Sequence, residues 1–292
     1  MIYDVHHVGI AVRDMDVALK LYRDALGLAV VKEGLAAARG ARVAMLSVGK
    51  SYLEIIQPVA VDSPFTAYIR ENEEGLHHIG MWSGDAELDV MRLGEMEVPL
   101  EDPEPRAGFT GKLSYLMPEA FDGAIVEVVE PDVELAGDSP PIAGRVKKID
   151  HVVLRVPYVS LTSKRFREWF GVETKRTVDR GPVTFAFMRP GEVVIEVIGP
   201  KDPSAALRAG PTVQSEHSAP GSGRVAGLAL EVTEIERLTE SLKQKGYPIG
   251  DPHPALQGGT IVSVHPTGAC GVPLAFIDFT GSPGPAHRRA GE

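Results

Sequence analysis

Residues 6–12 read HHVGIAV and residues 77–82 read HHIGMW. Each is a short alternating strand that begins with a pair of histidines, and the second members, His7 and His78, stand 71 residues apart. A second pair of strands recurs at nearly the same period. Glu54 lies in YLEIIQP and Glu127 in AIVEVVEP, 73 residues on. Two equivalent strands, each repeated at one period, imply a duplicated module. Together the two copies supply two imidazoles and two carboxylates, a donor set that a divalent transition metal takes.

The period continues. IDHVVLRV puts His151 where His7 and His78 stood, and VVIEVIGP puts Glu196 where Glu54 and Glu127 stood. A fourth copy, VAGLALEV and VPLAFIDF, has Gly227 and Ala275 at those positions. Neighbours on a strand point to opposite faces, so one histidine of each pair faces inward. His151 follows Asp150, so only the second position is histidine in all three copies, and that position is the inner one. A carboxylate inside an apolar strand is costly to bury unless something compensates its charge, and a metal ion does so.

Each module has the same coarse pattern: an alternating strand, a helix, then two or three strands. The helices are expected over Asp14–Leu26 closed by Gly27, Asp85–Leu93, about Leu161–Phe170 closed by Gly171, and Thr233–Lys245 closed by Gly246. Trp169 and Phe170 on the third read as core. The fold class expected is α+β, four βαβββ modules making two cupped mixed sheets with helices outside. The stretch PDVELAGDSPPIAGRVK is rich in Pro and Gly and reads as a linker. The expected division is a metal-binding domain over 1–131, a linker over 132–147, a degenerate second domain over 148–281 and a disordered tail over 282–292. Residues 200–223 read as a long loop inside the second domain.

Composition sets the broad class. The chain has 292 residues, 43% hydrophobic and 24% charged, as in ordinary globular proteins of two domains. No apolar run approaches the roughly 20 residues of a membrane span, and the chain enters a strand pattern at once, without a secretory signal. A single cysteine, Cys270, excludes an internal disulfide framework and fits a cytoplasmic protein. It reads as a small buried residue. A net charge of −10 argues against nucleic acid as partner. The expected partner is a small-molecule substrate.

Two pairings would complete a site. The first module with the second joins His7, Glu54, His78 and Glu127; the second with the third joins His78 and Glu127 to His151 and Glu196. The long linker after the second module favours the neighbouring pairing. The donors suit one divalent ion, Co, Ni, Mn, Zn or Fe, with positions left for a substrate that chelates through adjacent oxygens.

With these residues in place, the chain resembles the vicinal oxygen chelate superfamily over nearly its whole length. Residues 4–131 are most similar to methylmalonyl-CoA epimerase, on the strands HHVGIAVRD and LEIIQP, the segment Asp62-Ser63-Pro64, GLHHIGM, and the last strand from Gly123 to Glu127. The resemblance implies metal ligands at His7, Glu54, His78 and Glu127. Where that family carries an acid/base glutamate, this chain reads Ala36 to Ala41 with no carboxylate, Glu33 lying a few residues upstream. The family's His-Pro turn reads Met117-Pro118 here. Those departures imply a relative with a different substrate. The second domain is expected to pack as the second subunit of single-domain relatives does, giving a pseudo-dimeric monomer or a homodimer.

The reaction expected is that of a metal-dependent isomerase, epimerase or lyase. Glu127 or Glu54 takes a proton from carbon beside a metal-polarised carbonyl, through a metal-stabilised enediolate. Arg42, Arg39 or Lys50 is the candidate for a substrate anion, and Tyr115 for a hydrogen bond to substrate. The rival readings are an Fe(II) dioxygenase and a non-catalytic binding or resistance protein.

Overall fold

A computed structural model describes residues 1–132, 145–201, 222–255 and 257–280. The first module runs β1 (Ile2–Ala11), α1 (Met15–Leu19) continuing as a π-helical turn over Lys20–Ala25, β2 (Val30–Ala36), β3 (Ala41–Val48) and β4 (Ser51–Pro58). After α2 (Pro64–Asn72) the second runs β5 (Gly75–Ser83), α3 (Ala86–Glu95), β6 (Arg106–Ala107), β7 (Gly111–Tyr115) and β8 (Ile125–Pro131). The third is β9 (Val146–Arg155), α4 (Val159–Phe170), β10 (Thr174–Arg180), β11 (Val183–Met188) and β12 (Val194–Pro200). The fourth is β13 (Arg224–Val232), α5 (Ile235–Gln244), β14 (His253–Pro254), β15 (Thr260–Val264) and β16 (Leu274–Asp278).

These strands form two mixed eight-stranded sheets, ordered β2-β3-β4-β1-β5-β8-β7-β6 and β10-β11-β12-β9-β13-β16-β15-β14. The second order repeats the first, as a duplicated sequence requires. Within a module the first and last strands run parallel, β5 with β8, β9 with β12 and β13 with β16. Parallel neighbours need a long crossover, which the helix and intervening strands supply. In each sheet the first strands of two consecutive modules stand side by side at the centre. The neighbouring pairing of modules is therefore the one the sheets adopt.

Local chemistry explains the differences at the helices. The Asp14 carboxylate caps α1 by accepting from Asp16 and Val17 N–H, and Asp85 caps α3 through Leu88 N–H. Helix α5 starts at Ile235 rather than Thr233, because Glu234 takes a left-handed conformation. Helix α3 runs two residues beyond its expected end, through Gly94. The unanticipated α2 starts with Pro64 in its first turn, where the missing N–H costs nothing. The core of the expected linker (133–144), most of the 200–223 loop and the tail from 281 lie outside the described residues.

By proximity of the backbone the chain divides into two compact units, neither of them a contiguous half. One comprises Met1–His7, His77–Glu134 and His151–Ala226. Inside it, Phe121 packs against Phe166, Trp169 and Phe170 at ring separations of 4.8, 5.4 and 6.0 Å. Arg165 pairs with Asp122 at 3.0 Å. The half-buried Asp4 carboxylate accepts from Glu192 and Val193 N–H. Phe170 is thus a core residue, as expected, whereas Trp169 is half-buried at the edge of the cluster. The other unit comprises Val8–Leu76, Leu135–Asp150 and Gly227–Glu292; in it the buried Tyr22 hydroxyl donates to Ala269 C=O at 3.2 Å. Cys270 is buried there too.

Candidate metal centre

The centre is assembled by strand register. On β8, Glu127 stands opposite Gly80 of β5 on one side and Tyr115 of β7 on the other. Directly opposed residues share a face, so Gly80, Glu127 and Tyr115 point the same way. His78 lies two residues before Gly80 and points that way as well. The absent side chain of Gly80 makes room for His7: a Cβ there would fall 2.2 Å from its Cε1.

The donor atoms converge. His7 Nε2 and His78 Nε2 are 2.9 Å apart, and Glu127 Oε2 lies 3.2 Å from His78 Nε2 and 3.7 Å from His7 Nε2. His7, Glu54 and His78 each offer a ligand atom within 4.8 Å of the other two, and all three are buried. Nitrogen–metal bonds of about 2.1 Å set at right angles hold two nitrogens roughly 3.0 Å apart, so the imidazole spacing fits a shared ion. Glu127 Oε1 is buried without a hydrogen-bond partner. An unsatisfied carboxylate oxygen at such a place is expensive unless a cation or substrate completes it. The donors are nitrogen and oxygen only, which suits Co, Ni, Mn, Zn or Fe.

Electrostatics agree with ligand roles. Burial holds the His7 imidazole well below its usual range, against the attraction of Glu127, so the ring is neutral. Burial alone would raise the Glu127 carboxyl. The hydrogen bond with His78, the His7 ring and the Tyr115 hydroxyl outweigh it and keep the group ionised. Tyr115 hydroxyl lies 3.5 Å from His78 Nε2, so this expected substrate contact does border the centre.

Arg42 does not. Glu54 stands opposite Met45 on β3, so Arg42, an odd number of residues away, points to the other face. It is 38% exposed and pairs with Glu33 at 2.6 Å and Asp16 at 3.3 Å. Glu33 stands opposite Ala44, on that same outer face, so it cannot stand in for the missing acid/base glutamate. Strand parity thus places the Arg42–Glu33 pair on the face away from the centre. The sequence reading missed Arg106. It stands opposite Leu113 on β7, hence on the face of Tyr115 and Glu127. Its guanidinium lies 5.8 Å from the Tyr115 ring centre, its Nε is held by Asp102 at 2.8 Å, and its Nη2 is buried with no partner. Gly80 was missed as well, although its copy Gly9 in HHVG marked the repeat.

In the third module His151 and Glu196 lie on the paired strands β9 and β12. Burial lowers the imidazole and raises the carboxyl, each partly offset by the other.

A duplicated βαβββ chain with two histidines and two carboxylates on one sheet face defines a class. The family profile of the Glyoxalase/Bleomycin resistance protein/Dioxygenase superfamily matches residues 6–115 and 150–263, and the chain belongs to that superfamily. Among relatives, it is 32% identical over 126 residues to the uncharacterized protein YqjC of Bacillus subtilis, covering 43% of this chain and 90% of that one. It is 31% identical over 131 residues to an ethylmalonyl-CoA/methylmalonyl-CoA epimerase of Cereibacter sphaeroides, covering 44% of this chain and 98% of the relative. A solved mutant of 4-hydroxymandelate synthase from Streptomyces coelicolor matches 97% of this chain and 94% of its own at TM-score 0.69 and 16% identity, a likeness of fold. No helix among the described residues is long and apolar enough to cross a membrane.

Proposed function

We propose that this chain is a metal-dependent epimerase or isomerase of small acyl substrates whose reacting carbon lies beside a carbonyl, with malonyl-type CoA thioesters as the class to test first. The observation that carries the reading is Glu127: ionised, buried, one oxygen turned to both histidines and the other without a partner. The kinship with ethylmalonyl- and methylmalonyl-CoA epimerases supports the substrate class. His7, His78, Glu54 and Glu127 would hold the ion, which supplies Lewis-acid polarisation of a carbonyl oxygen and stabilises the negative charge that develops there.

The chain's own residues do the rest. Glu127 Oε1 accepts the proton from carbon. Strand order puts Glu54 on β4 and Glu127 on β8, flanking the two histidine strands. Inversion needs an acid on one face and a base on the other, and two flanking carboxylates meet that need without a carboxylate in the Ala36–Ala41 stretch. Tyr115 hydrogen-bonds beside the reacting oxygen, and Arg106 Nη2 takes the substrate carboxylate as a charge-assisted partner.

The test is exchange of the carbon-bound proton of methylmalonyl-CoA in D2O, with Co2+-loaded protein. Glu127→Gln should slow exchange by about 10²-fold or more; wild-type exchange in that variant would remove the base assignment. Absence of exchange with any malonyl-type thioester would remove the substrate class. Consumption of O2 by the Fe(II)-loaded chain would favour the dioxygenase reading instead.

A further inference from the structure

The first residue of each histidine pair does not face solvent. His6 and His77 are 1% and 8% exposed, buried like the ligands beside them. Their contacts are alike. His6 Nδ1 lies 2.9 Å from His7 Nδ1, and His77 Nδ1 lies 2.9 Å from His78 Nδ1. In both pairs the rings meet edge to face, at centroid separations of 5.1 and 5.0 Å. The two inner rings then present Nε2 to each other at 2.9 Å. Four imidazoles form a line of three nitrogen–nitrogen contacts, symmetric about the centre.

We infer that His6 and His77 are positioning residues, each accepting the Nδ1–H of the ligand histidine that follows and so fixing its Nε2 lone pair toward the metal. The inference rests on the metal reading proposed above. A neutral imidazole carries one proton, so a ring that binds through Nε2 holds its proton on Nδ1. That proton needs an acceptor, and the Nδ1 of the preceding histidine lies 2.9 Å from the nitrogen that carries it in each pair. The outer rings must then carry their own proton on Nε2. Partners of this kind set the tautomer and orientation of a ligand histidine and strengthen binding.

The repeat supplies an independent observation. The third copy has Asp150 before His151, and an aspartate oxygen occupies the place of Nδ1 in a histidine, two bonds from Cβ. The fourth copy has lost the ligand, Gly227, and has Ala226 before it. An acceptor precedes the ligand position wherever a histidine fills it, and is absent where none does.

The test is Co2+ affinity of the full chain, by competition with a chromophoric chelator, for His6→Phe, His77→Phe, His6→Asn and His77→Asn. Phenylalanine keeps the ring and removes the acceptor; asparagine keeps an oxygen at the Nδ1 position. Each Phe variant should bind Co2+ about 10- to 100-fold more weakly, and each Asn variant should recover most of that loss. On the Zn2+-loaded wild type, nitrogen NMR should show Nδ1–H on His7 and His78, and Nε2–H on His6 and His77. That measurement decides the matter even if a Phe variant fails to fold. Folded Phe variants with wild-type affinity, or an Nδ1–H on His6 and His77, would overturn the inference while leaving the centre in place. A wild-type chain that takes up no metal would overturn both.

Discussion

Glycine at position 80 is as much a part of the centre as the histidines. Its missing side chain is the volume that the His7 ring fills. Gly80→Ala should therefore displace His7 and lower Co2+ affinity by at least tenfold while leaving the fold largely intact, measurable by chelator competition beside circular dichroism. Unchanged affinity would mean that His7 is not a ligand in this rotamer. Arg106 is the second residue whose role parity reveals. If it anchors a substrate carboxylate, Arg106→Met should raise KM by about tenfold or more with a smaller change in kcat, the pattern of lost uniform binding. A fall in kcat alone would place it elsewhere in the mechanism. Cys270 belongs to the same scale. Burial, with Glu74 and Asp14 nearby, pushes its thiol up to about 12. Near pH 8 the thiolate is scarce, so iodoacetamide should label the folded chain far more slowly than the unfolded chain. Rapid native labelling would contradict the burial.

At the scale of elements, the strands were legible and the contacts between modules were not. The alternating and β-branched runs, the His–Glu period and the closing glycines mark four βαβββ units because strand parity and helix capping are local physics. Which elements pack against which is not local. The short turn Pro118–Phe121, read only as an altered His-Pro motif, sends Phe121 into the aromatic residues of α4, where Phe166 is fully buried. Phe166→Ala should cost about 3–5 kcal/mol and lower the denaturant midpoint accordingly. A loss under about 1 kcal/mol would show that the site collapses around the deletion or that the contact is peripheral.

At the scale of the molecule, each compact unit draws modules from both halves of the chain. A fragment ending at residue 132 would lose the α4 partners of Phe121 and the Glu192 and Val193 amides that satisfy Asp4. Such a fragment should self-associate, a second copy covering the exposed face, whereas the full chain should sediment as a monomer. A stable monomeric fragment would show that the third module is dispensable. The division into domains over 1–131 and 148–281 remains our proposal, and this experiment bears on it directly.

The sequence alone determined the duplication, the fold class and the four candidate ligands, because a repeat at one period aligns chemically identical residues and parity assigns them to one face. It could not determine the surroundings. His6 and His77 looked outward by alternation, yet central strands of a covered sheet are buried on both faces, and both became partners of the ligands. Arg42 and Arg106 carry the same charge, and only the register of β3 on β4 and of β6 on β7 put one outside and the other inside. Register and packing depend on contacts between residues far apart in the chain, so the tertiary structure alone decided what stands around the centre.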